Sequence, residues 1–89
     1  MPRIPFPTLV ERGLVPAGTK LWDRHRRWSA EVTRDGMVKC GRAAGSIHQV
    51  GARVQEAPSC NGWTFWHLER RDGSLRVIDE LRAELAPGS

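Results

Sequence analysis

Three hydrogen-bonding side chains, Ser46, Gln49 and Arg53, recur at helical spacing in the middle of the chain. They share the face opposite an apolar stripe, and the capping-box spacing of the first two predicts a helix over Ser46–Gln55 with Ser46 as its N-cap. The free N–H groups of a helix N-terminus attract phosphate, and Gln and Arg side chains reach phosphates or base edges. The pattern therefore predicts a contact with nucleic acid. A capped helix with one solubilising charge is the alternative.

An aromatic segment, Trp63–Glu69, predicts a strand that carries large rings on both of its faces. A small domain with a single core seldom buries both faces of a strand, so we expect one ring at the rim of the core. Trp63 begins the strand beside a loop, and its indole is the candidate for stacking on an unstacked base. Burial of Trp63 in the core is the alternative. Trp66, Trp22 and Trp28 are expected in the core.

Two further polar features, the dipeptide Asn61–Gly62 and His48, lie beside these elements. Asn can read adenine at N6 and N7, and Gly lets a backbone approach a ligand closely. A simple turn is the alternative for this dipeptide. His48 has no nucleophile or orienting partner nearby in the sequence, so we expect it at most to assist binding.

Positive charge is concentrated between Lys20 and Arg42. This segment holds seven basic and three acidic residues, and so carries the net charge of +4 of the whole chain. Basic segments attract polyanions through the release of counterions. We expect Arg27, Lys39 and Arg42, together with Arg53, to engage phosphates, and a solvated surface is the alternative.

Hydrophobic periodicity and turn residues place these side chains in one α+β domain, residues 1–89, with a small antiparallel sheet packed with about three short helices. Helices are predicted at Ile4–Gly13, Ser46–Gln55 and Asp79–Ala86, the last ending at Pro87–Gly88. Strands are predicted at Thr19–Asp23, Trp28–Arg34, Met37–Cys40, Trp63–Glu69 and Ser74–Val77. A hairpin turn is predicted at Asp35–Gly36, and a flexible loop that carries Arg42 is predicted at Gly41–Gly45.

The sequence argues against catalysis by this chain. Its 89 residues cannot hold a nucleotide-cofactor domain built from several βαβ units of about 30 residues each. It has no Walker A, HExxH or GxSxG motif.

No signal peptide or membrane-spanning run is evident, so we expect a cytoplasmic protein with Cys40 and Cys60 as reduced, buried thiols. With His48 and His67, these cysteines lack the spacing of a zinc site, and we expect no metal.

Two long blocks, Gly45–Gln55 and Ala57–His67, closely resemble the C-terminal domain of the cell-cycle-regulated adenine methyltransferases of alphaproteobacteria. The wider group is the restriction-enzyme adenine-methylase-associated domain. The opening segment Leu9–Thr19 and the closing segment Ile78–Arg82 resemble the same domain. The resemblance therefore covers essentially the whole chain.

The resemblance implies a parent enzyme that transfers a methyl group from S-adenosylmethionine to adenine N6 in double-stranded GANTC sites. The catalytic Asp-Pro-Pro-Tyr-type loop and the cofactor loop of that family are absent here, so we expect no cofactor on this chain. The implied partners are double-stranded DNA and the parent catalytic domain, in a bacterial cytoplasm and on its nucleoid. Ser46 and Trp63 lie in the most characteristic blocks and are the leading DNA-contact candidates. A module that dimerises the parent enzyme and a reader of modified bases are the alternatives.

Overall fold

Six short strands form one antiparallel sheet across residues 4–85, the part of the chain that the computed structural model describes. The strands are β1 (Lys20–Trp22), β2 (Ser29–Val32), β3 (Val38–Cys40), β4 (Ala43–Gly45), β5 (His67–Glu69) and β6 (Leu75–Val77). Their order across the sheet is β4-β3-β2-β1-β5-β6. Four consecutive strands therefore form a meander, and the hairpin of β5 and β6 joins it through β1.

Four short helices complete the fold, which confirms the predicted α+β class. The helices are α1 (Phe6–Glu11), α2 (Ile47–Val54), α3 (Gly62–Phe65) and α4 (Asp79–Leu85). The structure has one more helix than we expected from the sequence. The predicted continuation of the last helix to Ala86, and its stop at Pro87–Gly88, lie outside the described residues.

One face of the sheet is buried under the helices. Leu21 pairs with Ala30, and Val32 pairs with Val38, and these side chains join the apolar core. The opposite face carries a cross-strand row of exposed residues, which pairs Lys20 with Glu31, Glu31 with Lys39, and Lys39 with Ala44. The alternation of apolar and polar residues along β2 thus predicted its two faces correctly.

The segment Gly41–Gly45, predicted as a flexible loop, contains strand β4 instead. Gly41 adopts a left-handed φ of +59°, and Gly41 and Arg42 make a tight turn that returns the chain along β3. Ala and Gly have little intrinsic preference for strands, so the local sequence did not indicate one. Pairing with β3 and the packing of α2 against β4 decide the conformation.

The predicted strand Trp63–Glu69 is wrong in its first half, because Gly62–Phe65 forms helix α3 and only His67–Glu69 is a strand. The helix packs so closely on α2 that a Cβ on Gly62 would lie 2.6 Å from the backbone carbonyl carbon of Ile47. The contact between α3 and α2 joins two separate segments of the chain. The alternation of aromatic residues after Trp63 is a local pattern and could not indicate this contact. Trp66 is fully buried, as predicted, and its Nε1 donates to the Ile47 carbonyl at 3.0 Å.

Candidate nucleic-acid interface

The N-terminus of α2 carries the predicted capping box. Ser46 Oγ accepts the backbone N–H of Gln49 at 3.1 Å, and Gln49 Oε1 accepts the backbone N–H of Ser46 at 3.0 Å. The capping box leaves the first two helical N–H groups, those of Ile47 and His48, without partners inside the helix. Ser46 is half-buried and Gln49 is exposed, so this helix end is accessible to an anion.

His48 and Asn61 connect α2 to the start of α3. His48 Nδ1 accepts the backbone N–H of Gly62 at 2.9 Å, and Asn61 Oδ1 accepts the backbone N–H of Trp63 at 3.1 Å. Because Nδ1 accepts a hydrogen bond, the neutral imidazole carries its hydrogen on Nε2. No described residue accepts this Nε2 hydrogen. His48 is exposed. Asn61 is the N-cap of α3, and its oxygen is already engaged before any adenine could be read.

Trp63 lies in the core, with 7% of its surface exposed. Phe6 packs edge-on against it at a centroid distance of 6.0 Å, and the Arg82 guanidinium lies 4.3 Å from the centre of the ring. A ring this deeply buried has no free face for a base, so the structure favours the alternative of a core indole. Trp63 Nε1 donates a hydrogen bond to none of the described residues. Every fully buried side-chain nitrogen of these residues has a hydrogen-bond partner, so Trp63 Nε1 is in contact with solvent.

Ser46, His48 and Trp63 line one groove of about 220 Å³, which we call the α2 groove. Phe6 and Met37 form apolar walls, and Met37 is 40% exposed. The structure thus brings together three residues that the sequence singled out separately. Their unengaged hydrogens are those of the serine hydroxyl, the imidazole Nε2 and the indole Nε1.

The predicted basic residues do not form one surface with this groove. Gly36 and Met37 of the β2–β3 turn line the α2 groove, whereas Arg27 precedes β2 and Arg42 follows β3 at the opposite end of the sheet. Lys39 lies on the exposed face between these ends. Arg53 lies in the last turn of α2, away from Ser46. The single cationic surface that we expected is therefore divided, because antiparallel strands carry neighbouring residues to opposite ends.

Some of the cations are already engaged with aromatic rings. Arg26 forms an ion pair with Glu69 at 2.5 Å and lies 5.7 Å from the centre of the Trp22 ring. Arg27 lies 4.9 Å from the centre of the Trp28 ring. Trp22 and Trp28, predicted in the core, are only half-buried. Trp22 follows the buried Leu21 and so lies on the open face of the sheet, whereas Trp28 lies just before β2, at the end of the sheet.

Arg82 is a cation near the groove that the sequence analysis did not single out. It pairs with Asp79 in the same helix, and its guanidinium covers the Trp63 ring. No local signal in the sequence could have linked Arg82 to Trp63, because α4 and α3 meet only in the folded chain.

The two cysteines are free and half-buried rather than fully buried as predicted. Burial raises the pKa of the Cys60 thiol, which the Gln55 amide contacts at 3.4 Å. Within residues 4–85, no three His, Cys, Asp or Glu side chains come together in a group that could hold a metal ion. The helices of this part of the chain include none that is long and apolar enough to cross a membrane.

Known proteins match nearly all of the chain. A family model described as Restriction Enzyme Adenine Methylase Associated matches residues 1–87. The Type II methyltransferase M.HinfI of Haemophilus influenzae is 32% identical over 83 residues, which are 93% of this chain and 23% of that protein. The chain therefore spans less than a quarter of the length of this curated relative.

Proposed function

Because the chain belongs to the restriction enzyme adenine methylase associated family, we propose that it binds double-stranded DNA on behalf of an adenine methyltransferase. The observation that carries this proposal is the α2 groove, which Ser46, His48 and Trp63 line beside a capped helix N-terminus. Each of these three side chains has a hydrogen that no described residue accepts. Donors grouped at a helix N-terminus suit a phosphate oxygen.

In this proposal a DNA phosphate lies at the start of α2. The capping box holds the Ser46 hydroxyl beside the first N–H groups of the helix, so the donors are arranged before DNA arrives. Further along the duplex, Lys39, Arg42 and Arg53 supply phosphate contacts from the exposed face and the far end of the sheet. Asn61 contributes its amide nitrogen, and Gln49 its amide nitrogen beside the cap.

The finer proposal concerns the parent enzyme. The resemblance of Gly45–Gln55 and Ala57–His67 supports an enzyme of the cell-cycle-regulated type, which methylates adenine N6 in GANTC sites during DNA replication. S-adenosylmethionine would be held by a catalytic domain, and this chain would contribute to recognition of the target site.

Two substitutions of Ser46 that both keep a good N-cap but differ in charge test the phosphate contact. Ser46→Asn and Ser46→Asp both preserve a good N-cap, so thermal melting should change little for either. The Asp carboxylate repels a phosphate, so we expect Ser46→Asp to weaken duplex binding about tenfold or more relative to Ser46→Asn. Fluorescence anisotropy with a labelled duplex measures the difference. Equal affinities of the two folded variants would contradict a phosphate at this helix end.

Anisotropy titrations at several salt concentrations and with several duplexes, together with sedimentation of the free protein, separate DNA binding from its alternatives. Phosphate contacts predict affinity that falls steeply with salt, and a flat response would count against them. Preference for a GANTC duplex over a scrambled one tests target recognition.

A tight dimer in sedimentation without any DNA affinity would favour the interaction module, and tighter binding of methylated duplexes would favour a reader of modified bases.

A further inference from the structure

A second cleft, of about 750 Å³, lies at the end of the sheet opposite the α2 groove, and we call it the loop cleft. The loop before β2 contributes Arg24, Arg27 and Trp28 to its lining, and α3 contributes Phe65. Helix α3 lies between the two sites, since Trp63 lines the groove and Phe65 lines the cleft. Nothing in the proposed use of the α2 groove accounts for this cleft.

A buried carboxylate organises the loop that carries the cations of the cleft. Asp23 is 2% exposed, and its carboxylate accepts the backbone N–H groups of His25 at 3.1 Å and Trp28 at 2.7 Å. Arg26 has a left-handed φ of +57°, and its backbone N–H donates to the Asp23 carbonyl at 2.9 Å. Its side chain reaches Glu69 on β5. The loop is therefore held by its own hydrogen bonds, with Arg24 and Arg27 exposed on it.

The wall of the cleft is an aromatic pair with a cation on it. The rings of Trp28 and Phe65 are tilted by 34° with centroids 6.3 Å apart, and both residues are half-buried. The Arg27 guanidinium lies over the Trp28 ring. Gln55 donates its amide nitrogen to the Gly51 carbonyl, and no described residue donates to its oxygen. The cleft thus combines stacking surfaces, positive charge and an unengaged acceptor.

We infer that the loop cleft binds one unpaired nucleotide of DNA, an inference that rests on the proposed DNA-binding function. The base takes the place of the Arg27 guanidinium on the Trp28 ring beside Phe65. Arg27 then turns with Arg24 to the phosphate, and Gln55 accepts an N–H of the base. The cleft has the size of small-ligand sites, about 300–1,000 Å³. A paired base is covered on both faces by its neighbours in the duplex, so only an unpaired one can use the aromatic wall.

Unpaired nucleotides are what a module of a base-modifying enzyme meets. Enzymes that modify a base within a duplex take it out of the stack. Stacking on aromatic side chains and pairing with Arg are the general means of holding unpaired nucleic acid. The inference thus assigns the two ends of the sheet to two features of one substrate, the duplex at the α2 groove and the unpaired nucleotide at the loop cleft.

The test uses three labelled duplexes of the same sequence and the whole chain. One is fully paired, one carries a single unpaired 2-aminopurine nucleotide, and one carries an abasic site at the unpaired position, which bends the duplex but offers no base. We expect the 2-aminopurine duplex to bind about tenfold more tightly than the abasic one, the order that stacking of one base provides. Its fluorescence should fall on binding, because stacking quenches 2-aminopurine.

Matched tryptophan variants locate the effect. Trp28→Ala should remove both the affinity gain and the quenching, whereas Trp22→Ala should retain them, because Trp22 is also half-buried under cations but lies outside the cleft. Arg24→Ala, on the exposed loop, should weaken binding of the unpaired nucleotide more than binding of the paired duplex. This variant and the wild-type quenching keep the test open if Trp28→Ala does not fold.

The outcomes distinguish this inference from the proposed function. If the chain binds all three duplexes equally, or if the two tryptophan variants lose the same affinity, the loop cleft is not a nucleotide site although DNA binding stands. If the chain binds none of the three, the proposed function fails and this inference fails with it.

Discussion

His48 shows how one side chain can serve both the fold and the groove. Its Nδ1 accepts the Gly62 N–H, and Gly62 is buried, so the imidazole satisfies a backbone donor that water does not reach. Its Nε2 lies on the other side of the ring, and no described residue accepts the Nε2 hydrogen. Effects of His48 substitutions on binding are therefore informative only when the bond to Gly62 is preserved.

Two substitutions at His48 separate these roles. Asn can place an oxygen where Nδ1 lies, so we expect His48→Asn to fold nearly as stably as the wild type but to bind duplex DNA more weakly. His48→Ala leaves the Gly62 N–H without an acceptor, which costs about 1–3 kcal/mol of unfolding free energy. Urea denaturation and anisotropy titrations measure the two quantities. If His48→Asn binds DNA as the wild type does, the Nε2–H makes no contact.

Trp63 shows the limit of sequence reasoning at a single residue. Its type and position indicated a functional indole, and the structure does bring it to the groove beside Ser46. Its burial, however, depends on Phe6 and Arg82, which lie far from it in the chain. The sequence therefore could not tell that the faces of the Trp63 ring are buried in the core.

At the scale of elements, the contact between α2 and α3 positions the groove. Gly62 lies against the backbone of Ile47, and Gly51 lies against Cys60 and Phe65, so both helices approach where a side chain is missing. From the sequence we expected the glycine of Asn61–Gly62 either to let a ligand approach closely or to form a simple turn. The structure uses it for a close approach of two helices instead.

Substitution of Gly62 tests how much the site depends on this approach. A Cβ on Gly62 would lie 2.7 Å from the Ile47 carbonyl oxygen, and backbone atoms cannot move aside as a flexible side chain can. We expect Gly62→Ala to destabilise the fold by about 1–3 kcal/mol, the usual cost of overpacking. Thermal unfolding followed by circular dichroism checks this, with Thr64→Ala on the exposed side of α3 as the control. Equal melting temperatures for the two variants would show that the helices can separate at little cost.

At the scale of the whole molecule, the proposed contacts with DNA lie at two separate ends of the sheet. The α2 groove lies at the β2–β3 turn, and Arg42 lies at the β3–β4 turn on the other side of the sheet. Strands of three or four residues separate these two ends by roughly 10–13 Å. A duplex that covers this length of the sheet would touch both ends.

Combined substitutions at the two ends test this arrangement. Sites far apart without shared partners act independently, so the losses in binding free energy from Ser46→Asp and Arg42→Ala should add in the double variant. Arg42→Ala alone should reduce the slope of log affinity against log salt by about one, as expected for one lost phosphate contact. Arg71→Ala, on the exposed β5–β6 turn, is the control for loss of charge alone. An unchanged slope in Arg42→Ala would exclude this arginine from the interface.

The sequence by itself determined the features that depend on residues a few positions apart. The capping box of α2, the hairpin of β2 and β3 and the α+β class follow from local periodicity, turn chemistry and side-chain hydrogen bonding. Only the tertiary structure decided that Gly62–Phe65 is a helix, that β4 pairs with β3, and that Arg27 and Arg42 lie at the end of the sheet opposite the α2 groove. These outcomes depend on packing and strand pairing between segments distant in the chain, and no local pattern encodes which distant partner a segment meets.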